Sequence, residues 1–149
     1  MKKFLWILLI IVLVLQVIPT NRPETKTNNP NDLIVNNQVP AEVADMLRNA
    51  CYDCHSNESK YPWYAYVAPV SYLINKDIRE GRKHLNFSDW QGLETTKKLK
   101  LLDEISDEVG GGDMPYFIYP PLHPEARLSD ADRQKMVDWT TDFGDGLLK

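Results

Sequence analysis

The chain has 149 residues, 43% hydrophobic and 26% charged, with a formal net charge of −4, two cysteines and three histidines. That length allows one domain with extensions, and a folded part of about 110 residues can bury a modest core. The acidic balance lacks the basic patches that a nucleic-acid partner calls for.

Met1–Thr20 has the make-up of an export segment. Lys2 and Lys3 form a positive start, and Phe4 to Leu15 is an unbroken apolar run that Gln16 alone separates from Val17 and Ile18. The run is short for a membrane span, which needs about 20 residues, and long for the apolar stretch of a signal peptide, about 7–15. No A-x-A-like cleavage site follows, so an uncleaved signal anchor through residues 4–18 is favoured over a cleaved signal peptide. A buried core helix fits poorly at an extreme terminus behind two lysines. The lysine start places the rest of the chain outside the cytoplasm, at a periplasmic or extracytoplasmic face anchored to the inner membrane. Residues 21–38, rich in Asn, Thr and Pro, read as a flexible linker. Residues 39–149 read as the folded domain.

Pro40-Ala41-Glu42 opens a short helix with Val43, Leu47 and Ala50 at i, i+4 and i+7, a stripe that continues into Cys51 and Cys54. Tyr61, Trp63, Tyr64 and Tyr66 are too crowded for a solvated loop; ordinary core packing and the wall of a cofactor pocket both fit. Pro69–Lys83 is a second helix, with Val70, Leu73, Ile74 and Ile78 as its apolar stripe and Gly81 as its stop. Ser88-x-x-Gln91 reads as the capping box of a third, whose buried face is Leu99, Leu102, Ile105 and Val109 and which Gly110-Gly111-Gly112 breaks. Ser129-x-x-Asp132 caps the last helix, which buries Met136, Thr140 and Phe143 and half-buries Trp139. Nothing alternates with a period of two. The fold class expected is all-α, about four helices preceded by an N-terminal apolar helix.

Cys51-Tyr52-Asp53-Cys54-His55 is C-x-x-C-H, the attachment signature of a c-type haem. Two cysteine sulfurs form thioethers to the haem vinyl groups, and His55, next in the chain, offers an imidazole nitrogen to the iron as proximal ligand. Imidazole is mostly neutral near pH 7, as a metal prefers. A zinc site would want four ligands, and there is no third cysteine. A thioredoxin-like pair needs a βαβ setting, which is not visible. A simple disulfide leaves the histidine unused. The cofactor expected is one covalently attached haem c, and its maturation in an oxidising compartment agrees with export.

The iron then wants a sixth ligand from Met46, Met114, Met136, His84 or His123. Met46 lies on the motif's own helix, and Met136 sits mid-helix on an apolar face, where methionine is usually core. Met114 follows three glycines, which permit close approach to a flat cofactor, and precedes Pro115, which favours an extended backbone. It is the distal ligand expected, with His123 and His84 as alternatives. Trp63 and Tyr64 are candidates for the haem pocket.

These features resemble class I cytochromes c and, more narrowly, a small bacterial haem-binding domain family of exported proteins. The likeness is carried by Cys51 to Asn57, Tyr61-Pro62-Trp63-Tyr64, Gly81-Arg82, Leu85 to Trp90, Asp113-Met114-Pro115, His123-Pro124-Glu125-Ala126 and Leu128-Ser129. The resemblance implies a cytochrome c-like fold, haem attachment at Cys51 and Cys54, His55 as proximal ligand and Met114 opposite. The tryptophan-rich middle departs from ordinary cytochrome c. The function expected is single-electron transfer to an unknown redox partner protein, since His/Met ligation favours reduced iron. A haem peroxidase-type enzyme, with His84 or His123 as acid–base group, and a ligand sensor with a labile Met114 bond are the alternatives.

Overall fold

The computed structural model describes residues 1–149 and contains no strand. Seven α-helices follow in order: α1 (Lys2–Val17), α2 (Leu33–Asn36), α3 (Ala41–Ala50), α4 (Tyr52–His55), α5 (Val70–His84), α6 (Thr95–Gly111) and α7 (Asp130–Leu147). Short 3-10 turns cover Trp63–Tyr66, Phe87–Gly92 and Pro124–Ala126. The all-α class is as expected.

The core forms where apolar stripes at helical spacing meet. Leu101, Leu102, Ile105 and Val109 on α6 close on Met136 and Trp139 on α7, and Val43 and Leu47 on α3 join them with Tyr52, Phe87 and Trp90. Gly110 faces Val137 while Gly144 faces Leu99 and Leu102, so α6 and α7 run antiparallel. Trp139 is buried rather than half-buried.

Helix ends bear out the sequence reading at one place and correct it at two. The Ser129–Asp132 capping box is present, each residue's side chain accepting from the other's N–H. The Ser88–Gln91 box is not: both residues lie inside a 3-10 turn capped by Asn86, and the Ser88 hydroxyl accepts from the Asn57 N–H instead. Nor do three glycines break α6. Gly110 and Gly111 stay helical, and only Gly112, at φ 88°, takes the left-handed cap that glycine tolerates.

Helix α5 departs furthest. Its inward face is Ser71, Asn75 and Ile78, while Val70 and Leu73 of the expected stripe are exposed. Gly81 is not a stop, since α5 runs on to His84.

The amino-terminal third also differs. The apolar segment is helical, but its 16 residues rise only about 24 Å against a hydrocarbon core of about 30 Å. No helix of the structure is long and apolar enough to cross a membrane, so the expected transmembrane helix is not borne out. Residues 21–38, expected as a flexible linker, lie on the domain. Leu33 is wholly buried in the core, and Asp32 caps α2 and accepts from the Tyr52 hydroxyl. Upstream, Arg79 donates to the carbonyls of Thr20 and Asn21, Arg82 to that of Glu24, and Tyr61 to that of Pro23. Asparagine and proline richness concealed one apolar anchor and its cap.

Candidate functional site

Helix α3 ends at Ala50, and the chain turns once through Cys51 into α4, with the N–H groups of Cys54 and His55 both donating to the Cys51 carbonyl. This single turn brings two thiols and one imidazole together. Its underside is held by Tyr52, which is buried, stacks on Phe87 with ring centroids 5.2 Å apart and donates to the Asp32 carboxylate. The Ser56 hydroxyl bonds the Tyr52 carbonyl and the Ser59 hydroxyl that of Asp53, so the backbone after the motif is tied back onto it.

Cys51 and Cys54 are free thiols. Burial, reinforced for Cys51 by Cys54 and for Cys54 by Asp53, pushes both up to about 12. They therefore stay protonated near neutral pH. No group of three or more His, Cys, Asp or Glu side chains is placed to hold a metal ion.

His55 Nδ1 lies 3.2 Å from the carbonyl oxygens of both Gly81 and Leu85. Both are acceptors, so Nδ1 carries the proton and Nε2 keeps its lone pair. Burial lowers the imidazole's pKa, against the pull of those two carbonyls, and keeps it neutral. A ring held by its far nitrogen, with the near one free, is prepared for a metal. The glycine explains the fit: a Cβ at Gly81 would meet the Cys54 carbonyl oxygen at 2.7 Å and His55 Cε1 at 3.4 Å. Helix α5 thus approaches the motif more closely than any other residue would permit. Free thiols, a neutral oriented imidazole and this cradle fit a covalently held haem.

The sequence model of a haem-binding domain family matches residues 10–142, most of the chain. The chain belongs to the haem-binding domain family. No curated protein and no solved structure matches it.

In this haem-binding domain the expected distal candidates part company. Met114 is half-buried and packs against the core. Its N–H donates to the Glu108 carbonyl, and its own carbonyl accepts from Arg133 at 2.6 Å, so the backbone on both sides of its side chain is fixed. His123 is committed elsewhere. Its Nε2 is 2.5 Å from the Tyr64 hydroxyl, its Nδ1 3.4 Å from Glu125, and its ring stacks on Tyr119. His84, the last residue of α5, turns to Glu104 at 2.9 Å. Of the two pocket candidates, Tyr64 is tied to His123, while Trp63 is 78% exposed and meets the Tyr64 ring edge-on, with centroids 5.8 Å apart.

Four residues escaped the sequence reading. Gly81 was legible only as a helix stop. Arg82 crosses from α5 to Ser59 and to the Glu24 carbonyl. Tyr119 donates to Asp53, a middle residue of the motif, at 2.7 Å, and so ties the loop after Met114 to the cysteine turn. Arg133 grips Met114 and the last turn of α6 together. None carries a local signal, because each acts on a partner far along the chain.

Proposed function

We propose that this haem-binding domain is an exported monohaem c-type cytochrome that passes single electrons. Cys51 and Cys54 would hold the haem through thioethers, and His55 Nε2 and the Met114 sulfur would be the ligands to its iron. The observation that carries the reading is the His55 ring, pinned at Nδ1 by two carbonyls in the same turn as two free thiols. When bound, the haem supplies an iron that alternates between ferric and ferrous states.

The chain's own part is to position and to exclude water. Gly81 and Leu85 orient the imidazole and raise its basicity as a donor. Tyr52, Phe87 and Asp32 hold the turn against the core. Glu108 and Arg133 fix the backbone of Met114, and its soft sulfur, as a ligand, would favour ferrous iron. The peroxidase and sensor readings need a free distal acid–base group or an open iron, and both distal histidines here are paired with other side chains. The domain works outside the cytoplasm with residues 4–18 seated in the inner membrane, and its partner is a redox protein.

The test is an absorption spectrum of protein matured in an export-competent host, oxidised and reduced, with and without carbon monoxide. A low-spin spectrum with a methionine–iron charge-transfer band, unaltered by carbon monoxide, is expected. A high-spin ferric spectrum would overturn the electron-transfer reading.

A further inference from the structure

Helix α1 buries none of its residues in the rest of the chain, yet it is not loosely attached. Gln16, the one polar residue in its apolar run, clamps Ala68: its amide N–H donates to the Ala68 carbonyl at 3.1 Å and its oxygen accepts from the Ala68 N–H at 3.0 Å. The Tyr72 hydroxyl sits 3.0 Å from the carbonyl oxygens of Leu15 and Ile18. The helix therefore leaves the domain at one place and in one direction. The site where a signal peptide would be cut, near Thr20, is bonded to Arg79 rather than free.

Around that joint the domain exposes large apolar residues. Trp63, Tyr66, Val67, Val70 and Leu73 are 78, 57, 42, 41 and 57% exposed and flank Ala68 and Tyr72 in the chain. A cluster of this kind marks an interaction surface. Arginines stand at its rim: the Arg22 guanidinium lies 3.8 Å from the Tyr66 ring centre, and Arg79 caps the chain leaving α1. Aromatic residues beside cations are what a lipid headgroup layer selects. Continuity decides the occupant. The collar adjoins a bare apolar rod that ends in Lys2 and Lys3, and a lipid bilayer suits both. A helix too short to cross also brings its own base down to the headgroups.

We propose that the collar from Trp63 to Leu73 is a lipid-docking surface, and that α1 is retained as a rigid arm that lays the haem domain on the membrane in one orientation. This rests on residues 4–18 being seated in the membrane. The test uses full-length, haem-loaded protein in nanodiscs of phosphatidylethanolamine and phosphatidylglycerol. Nitroxide labels are placed through Ile10→Cys, Leu73→Cys and Asp107→Cys, with the wild-type chain as the control for labelling at Cys51 and Cys54. Accessibility to oxygen relative to a water-soluble nickel chelate should be several-fold higher at positions 10 and 73 than at exposed Asp107 on α6. A label buried in lipid at 10 but in water at 73 would overturn the collar and leave the membrane reading standing. A label in water at 10 would overturn the reading beneath it. Shielding at 73 that persists without lipid would mean that a second copy covers the collar, which also refutes the proposal.

Discussion

Gly81→Ala tests whether α5 is shaped to the haem motif. The new methyl carbon would stand 2.7 Å from the Cys54 carbonyl oxygen and 3.3 Å from its carbon, both backbone atoms that cannot swing aside. A carbon normally rests about 3.3 Å or more from a carbonyl oxygen. Helix α5 and the Cys54 turn must therefore part by about 0.6 Å. Overpacking of this kind costs about 1–3 kcal/mol, while replacing a mid-helix glycine by alanine returns about 0.5–1 kcal/mol. The net loss should fall between about 0 and 2.5 kcal/mol, read from urea unfolding of the wild-type and variant proteins side by side. Gly146→Ala is the control. It lies in α7 with nothing within 4 Å of the added atom, so it should gain the propensity term alone. The shift should also lengthen the 3.2 Å contacts of His55 Nδ1 with Gly81 and Leu85 and disturb the haem spectrum. A Gly81→Ala protein as stable as Gly146→Ala, with an unaltered spectrum, would refute the close approach.

Met114→Ala should keep the haem attached, lower the reduction potential, turn ferric iron high-spin and admit carbon monoxide to ferrous iron; an unaltered spectrum and potential, with loss of both in His123→Ala or His84→Ala, would show bis-histidine iron. Tyr119→Phe removes the bond to Asp53 and should cost about 1–2 kcal/mol in urea unfolding, and by loosening the loop after Met114 it should let ferrous iron take up carbon monoxide that the wild-type protein excludes. In haem-free protein, thiols raised from 9.0 to about 12 by burial are thiolate far less often than unfolded ones. Iodoacetamide at pH 8 should therefore react about a thousandfold more slowly with the folded chain than with the urea-unfolded one, and the rate should climb about tenfold per pH unit towards 12; equal rates would contradict the burial. Met136→Ala, at a wholly buried position, should cost about 2–5 kcal/mol and leave the spectrum alone.

The helices of the domain were legible because their stripes are long and periodic. Met136 and the face from Leu102 to Val109 are buried as their spacing requires. The attachment turn was legible because all three of its chemical groups are adjacent in sequence. Helix α5 misled because periodicity weighs hydrophobicity and not size. Its inward face has Ser71, Asn75 and Gly81 where backbone must come close, and its Val70 and Leu73 face outward. The segment from Thr20 to Gln38 misled for a related reason. Its contacts are mostly backbone carbonyls taken by Arg79, Arg82 and Tyr61, and a carbonyl leaves no mark in composition. The environment of Met114 was hidden likewise, since Arg133 and Tyr119 reach it or its loop from distant positions.

The most direct test of the account is the intact mass of mature protein after acid–acetone extraction and denaturation, for the wild-type chain and for the Cys51→Ala, Cys54→Ala double variant. Covalent attachment at Cys51 and Cys54 gives a wild-type mass greater than that of the chain by one haem, with that increment absent from the double variant. A wild-type chain stripped to its polypeptide mass, or a double variant that retains covalent haem, would contradict it.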